Sequence, residues 1–267
     1  MNDLIDNVKA GLPLNDVLII DCHCHHGPYR NFNNPRNSAL DMIKSMDNLG
    51  ISKACITPHA ASVGPDYIYG NDLAIDSVIN YPERFLGYVS LNPNYPSDMG
   101  HEIERCFKVE NMIGIKLHPS YHGAQIDSKA YDDAYSFANR ISCPVLIHVW
   151  GKEDVAAIDR MAQKFPQAVL IMGHAGADIG AMENACKVAL IHENVYLDTA
   201  LSSAYQGNIE WLTELAGSER ILFGTDIPFY DPRHVFGKVA ASDLAEKDKK
   251  NILGLNMQRI LSGVKKR

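Results

Sequence analysis

The stretch Val17-Leu18-Ile19-Ile20-Asp21-Cys22-His23-Cys24-His25 decides the fold. Four aliphatic residues run directly into alternating acid, thiol and imidazole groups. A short apolar run of this kind reads as a strand buried on both faces, as in a parallel sheet. Imidazoles and carboxylates are costly to bury without partners, so a strand that ends in them delivers them to something. The same pattern recurs four times along the chain. Ile113-Gly114-Ile115 leads to Lys116-Leu117-His118, and Pro144-Val145-Leu146-Ile147 leads to His148. Ala168-Val169-Leu170-Ile171-Met172 reaches Gly173-His174, and Ile221-Leu222-Phe223 reaches Gly224-Thr225-Asp226. A metal ion is the simplest common partner.

Working outward, strands are predicted at 17–22, 52–57, 85–91, 113–118, 144–149, 168–173, 194–199 and 220–225. Helix-compatible stretches fall between them, at 38–49, 70–80, 98–109, 127–140, 153–164, 178–190, 206–216 and 232–240. In the first, Leu40, Ile43, Met46 and Leu49 form one stripe and Gly50 is placed to end it. Asp231 caps the last, with Pro232 at its first position. Eight strand–helix units in one chain of 267 residues predict an α/β fold of the (β/α)8 TIM-barrel type, a single domain over residues 1–267. A further amphipathic helix from about Ser242 is expected to dock on the outside of the barrel. An open doubly wound sheet would usually show a glycine-rich turn after its first strand, and here histidines stand in that place.

Composition narrows the function classes. A formal charge of −7 argues against a general nucleic-acid surface and against attachment to anionic lipid. No apolar run approaches the ~18–20 residues that span a bilayer. The acidic start Met1-Asn2-Asp3-Leu4-Ile5-Asp6 lacks the basic region and long apolar stretch of a signal peptide, so a cytoplasmic location and a small-molecule partner are expected. Of the six cysteines, Cys22 and Cys24 interleave with the histidines, and strict strand alternation would send them to the opposite face.

His23 and His25, two residues apart, point to one side roughly 7 Å apart, a spacing that lets two imidazoles grip one ion. Asp21 on the same face is placed to orient one of them. His148 and Asp226, at the ends of the fifth and eighth strands, can complete a donor set with an open position. Taken singly, a strand-end histidine is often structural and an aspartate after Gly-Thr often caps a helix. It is their coincidence at the ends of several strands, where barrel enzymes keep their catalytic groups, that points to a metal site.

These residues resemble the amidohydrolase superfamily, in particular its amidohydrolase-2 type of metal-dependent hydrolases and decarboxylases. The resemblance spans nearly the whole chain. It is carried by Asp21-x-His23-x-His25, Tyr81-Pro82-Glu83-Arg84-Phe85, Gly114-Ile115-Lys116-Leu117-His118-Pro119, Gly173-His174-Ala175-Gly176, and Ile221 to Pro228, down to a terminal Asn256. It implies His23, His25, His148 and Asp226 as ligands of one divalent metal, most often zinc, with manganese as an alternative. His174 would act on bound water or substrate, and Asp226 would also move a proton. Lys116 is open to two readings: a carboxylated bridge to a second metal, or, with His118, a holder of a substrate carboxylate. The family is commonly dimeric, so a homodimer is the corresponding expectation.

Around the rim, Arg30 and the Arg233–His234 pair are candidate contacts for an anionic substrate, His59 and His122 are candidates to line the mouth and touch the substrate, and Tyr29, Tyr67, Tyr121 and Phe229 are candidates for an apolar wall. Asp198 is placed to orient a ligand or to cap the next turn. His26, His101 and His192 read as surface residues. The first functional reading is a hydrolase acting on an amide, lactone or ester of a small anionic molecule. The alternative is nonoxidative decarboxylation of an aromatic or conjugated acid, and a third reading is a noncatalytic metal-binding barrel.

Overall fold

The computed structural model describes residues 4–29, 34–64, 66–200 and 205–265. Eight parallel strands follow one another in sheet order: β1 (Ile20–Cys24), β2 (Lys53–Ile56), β3 (Phe85–Ser90), β4 (Met112–Leu117), β5 (Pro144–Trp150), β6 (Val169–Gly176), β7 (Val195–Asp198) and β8 (Ile221–Leu222). Helices alternate with them, as the hydrophobic periodicity requires. The helix Ala39–Leu49 starts on a reciprocal Ser38–Asp41 capping box and ends at Gly50, whose φ of 79° is the left-handed closure glycine adopts without a Cβ clash. The helix Pro232–Ala240 begins with Asp231 accepting a bond from the Arg233 amide.

Two apolar layers build the core. One fills the space between strands and helices. The other lines the barrel interior with Ile20, Cys22, Cys55, Tyr88, Leu146, Ile171 and Leu222. Met257 and Ile260 from the C-terminal helix Asn256–Gly263 pack onto this interior layer. Asn256, fully buried, ties that helix to the entry of β8 by donating to the carbonyls of Ser218 and Ile221, each at 2.7 Å.

The first strand departs from the expected alternation. Its register with β2 breaks between Asp21 and Cys24. Cys22 therefore packs in the interior layer beneath the histidines, and Cys24 joins the outer one. All six cysteines are buried, and none of them is in a disulfide. No helix among the described residues is long and apolar enough to cross a membrane.

Candidate metal centre

The seam between β8 and β1 assembles the centre. Although β8 is short, its chain stays paired to β1 beyond Leu222. Cys22 N donates to Phe223 O at 2.8 Å, Asp226 N to His23 O at 2.8 Å, and His25 N to Ile227 O at 2.6 Å. Three successive backbone bonds thus bring His23, His25 and Asp226 to one place. Asp226 takes a left-handed backbone (φ 62°), a conformation that Asp tolerates better than most side chains.

Asp21 has a different task from the one its spacing suggested. Its carboxylate accepts from the Thr225 amide at 3.1 Å, the Thr225 hydroxyl at 2.6 Å and the His23 amide at 3.2 Å. It clamps β1 to the Gly224-Thr225-Asp226 turn and makes no bond to an imidazole. Burial pushes this carboxyl up to about 7 against the opposing effect of those donors.

His25 Nε2 lies 3.1 Å from Asp226 Oδ1, and His23 Nε2 lies 3.7 Å from the same oxygen. The far nitrogens face acceptors: His23 Nδ1 is 2.7 Å from Asp198 Oδ2, and His25 Nδ1 is 2.8 Å from the Thr57 carbonyl. Donor atoms of His23, His25 and Asp226 all fall within 4.8 Å of one another, and all three residues are buried. Two imidazoles presenting Nε2 and one carboxylate, with outer partners on both rings, fit a divalent cation. Two glycines make room. A Cβ on Gly224 would stand 3.0 Å from His23 Cβ, and one on Gly173 would meet the Ile147 carbonyl at 2.8 Å and His23 Cε1 at 3.4 Å. Burial alone would raise the Asp226 carboxyl, but the His25 hydrogen bond and the neighbouring His23 bring it well below the usual range. Burial and the nearby Lys116 hold His23 well below its ordinary value.

Facing this set stand Lys116, His118, His148 and His174. Lys116, 1% exposed, places Nζ 3.0 Å from His23 Nε2, and burial lowers its ammonium to about 8. His148 Nδ1 and His174 Nε2 are 3.1 Å apart, and His174 Nδ1 is 3.1 Å from the Ala200 carbonyl. The His148 ring is stacked between His118 (4.0 Å, 16°) and Trp150 (5.8 Å, 11°). His148 thus stands beside the His23–His25–Asp226 cluster and is coupled to His174. His174 also shares a second close group with His23 and Asp198.

These residues border a cavity of about 490 Å³ at the C-terminal ends of the strands. Tyr29, Tyr121, Trp150, Phe229 and Tyr230 supply most of its apolar wall, with Ser62 and Val63 completing it. Trp150, Tyr230, Ser62 and Val63 carried no periodic or spacing signal, since a loop aromatic or a small residue after a strand reads as ordinary packing. Among the expected rim residues, His59 lies behind the wall, packed between His25 (4.7 Å) and Phe229 (4.0 Å). Neither of its ring nitrogens has a polar partner among the described residues. His122 is buried against the Tyr131 hydroxyl, and Tyr67 stacks on Tyr95, both away from the cavity lining. Arg233 is paired with Asp231, and Arg30 lies outside the described residues. His26, expected at the surface, is buried and bonds Ser77 Oγ at 3.0 Å. His101 is exposed, and His192 pairs with Asp159.

The amidohydrolase family model matches residues 20–262. A gamma-resorcylate decarboxylase from Polaromonas sp. is 23% identical over 246 residues, covering 71% of this chain and 74% of that protein. A 2-amino-3-carboxymuconate-6-semialdehyde decarboxylase from Dictyostelium discoideum is 24% identical over 234 residues, covering 72% of this chain and 65% of that protein. Among solved structures, the 5-carboxyvanillate decarboxylase of Novosphingobium aromaticivorans, complexed with manganese and 4-hydroxy-3-methoxy-5-nitrobenzoic acid, superposes with a TM-score of 0.73. That similarity covers 93% of this chain and 97% of the other at 15% identity.

Proposed function

The chain belongs to the amidohydrolase family, and from that membership we propose that it is a metal-dependent nonoxidative decarboxylase of a small aromatic or conjugated carboxylic acid. The observation that carries this reading is a buried His23–His25–Asp226 donor set facing a cavity whose other lining is largely aromatic. The named relatives are decarboxylases, and they weigh against the hydrolysis that the sequence alone favours.

In this reading His23, His25, His148 and Asp226 hold one divalent cation, zinc or manganese. When bound, the cation supplies Lewis acidity that draws electron density from substrate oxygens. Lys116 places positive charge in a buried pocket, where it attracts an anionic oxygen more strongly than it could in water. The aromatic wall takes the ring of the substrate, and His118 borders the same space. Release of carbon dioxide breaks one carbon–carbon bond and leaves its electron pair on the substrate carbon, which must then gain one proton. Asp226 is held too acidic to keep a proton near neutrality. His174, whose Nε2 lies 3.1 Å from His148 Nδ1 at the border of the cavity, is the group placed to pass it to that carbon.

The test is a substrate panel of hydroxybenzoates, conjugated dicarboxylates, lactones and amides, assayed with added zinc or manganese. Stoichiometric carbon dioxide release from at least one acid is expected. Acid release from a lactone or amide, without carbon dioxide from any acid, would overturn the proposal in favour of hydrolysis.

A further inference from the structure

We propose that Asp198 is a positioning residue that sets two parts of the site at once. It fixes His23 in the tautomer whose Nε2 lone pair faces Asp226, and it pins the backbone that presents His174. The inference rests on the reading of His23 as a metal ligand and concerns what prepares it for that role.

Asp198 ends β7 and is fully buried. Its Oδ2 lies 2.7 Å from His23 Nδ1, while its Oδ1 accepts from the amides of His174 at 2.8 Å and Ala200 at 3.1 Å. An ionised carboxylate only accepts, so His23 Nδ1 must carry a proton, and in the neutral ring Nε2 is then bare. The other side of the ring requires the same state. Lys116 Nζ stands 3.0 Å from His23 Nε2, and an ammonium only donates. Two neighbours from different strands therefore demand one tautomer. His25 obtains the same result from a neutral group, the Thr57 carbonyl. Asp198 differs in carrying charge and in having a second oxygen committed elsewhere.

That second oxygen matters because the backbone at the end of β6 is unusual. His174 (φ 64°), Ala175 (φ 48°), Gly176 (φ 93°) and Ala177 (φ 70°) are four consecutive left-handed residues. L side chains adopt that region sparingly, and a run of this kind persists only where the surroundings hold it. The bond from His174 N to Asp198 Oδ1 is such a hold. One carboxylate thus couples the orientation of His23 to the presentation of His174.

The substitution Asp198→Asn separates these roles from simple space filling. It keeps the shape but replaces one acceptor by a donor. If the amide oxygen stays on the His174 and Ala200 amides, the NH2 faces His23 Nδ1 and drives the proton to Nε2. If the amide turns over, two backbone donors meet the NH2 instead.

The experiment measures manganese binding to the full chain by equilibrium dialysis, and His23 ring protonation by nitrogen NMR in the metal-free protein, with His23→Gln used for assignment. Asp198→Asn is expected to weaken manganese binding 10- to 100-fold. In chelator the variant should still unfold in one cooperative transition, at a midpoint below that of the wild type, and wild-type His23 should be protonated at Nδ1. Manganese binding within twofold of wild type in Asp198→Asn, or wild-type His23 protonated at Nε2, overturns the proposal. Should the variant fail to fold, the wild-type ring measurement still decides. A chain that binds manganese but releases no carbon dioxide would sink the proposed reaction and leave this inference standing.

Discussion

The two sides of the cavity are built by different means. On the β8–β1 side, His23, His25 and Asp226 are set by consecutive backbone hydrogen bonds, clamped from behind by Asp21 and Thr225, and almost wholly buried. On the β5–β6 side, His148 and His174 are joined by a side-chain bond and stacked rings, next to a Trp150 that is 54% exposed. Backbone pairing leaves a side chain little freedom to move. A stack of rings beside solvent can shift to admit a ligand. In the proposed reading the rigid half fixes three donors for the ion, and the other half brings His148 as a fourth beside the space that meets the substrate.

The comparison can be broken most directly at the rigid half. Asp226→Ala or His23→Ala should abolish bound metal, measured by elemental analysis, and lower kcat by at least about 10³-fold, because an open metal site with a ligand missing loses its Lewis acid. Full metal content in either variant would place the ion elsewhere. His174→Asn tests the opposite half. It should leave the metal content unchanged and lower kcat by about 10²- to 10⁴-fold, the range for removing a positioned proton donor. Loss of metal in that variant would dissolve the distinction between the two sides.

Smaller effects sharpen it. Trp150→Ala removes one face of the His148 stack and part of the aromatic wall, so KM should rise several-fold, by about 5-fold from a lost ring contact of ~1 kcal/mol, with kcat little changed. The smallest effect concerns stability away from the metal. Burial lowers His122 from 6.5 to about 4 in the folded chain. Between those values the unfolded chain binds more protons than the folded one. Stability from keeping His122 neutral is therefore whole above pH 6.5 and is lost as pH falls toward 4, by at most about 3 kcal/mol. Urea unfolding of metal-free protein across this window should show a shallower loss for His122→Asn than for the wild type. Equal slopes would assign the acid sensitivity to other groups.

Much of this was legible in the chain itself. The eight apolar runs and the capped helices between them are local signals, and each became a strand or helix within a few residues of its expected bounds. The ends of those runs also marked His23, His25, His174 and Asp226, since position along a strand is enough to place a residue at the barrel mouth. The reaction was not legible, because the same donor set serves hydrolysis and decarboxylation. Rim contacts were poorly legible too. His59 packs behind the wall, Tyr67 and His122 are buried away from it, and Trp150 and Tyr230 line it; no periodicity governs loop side chains.

What the sequence determined, then, is the barrel and the identity of the groups at its mouth, since both follow from short-range patterns of burial and polarity. Only the tertiary structure decided which group serves which. Asp21 and Asp198 are both strand carboxylates, and spacing favoured the first as the partner of a histidine. A register break in β1 and the Thr225 clamp turned Asp21 aside, and the approach of β7 set Asp198 2.7 Å from His23. A hydrogen bond depends on distance and direction between strands far apart in the chain, and those are settled only when the barrel closes.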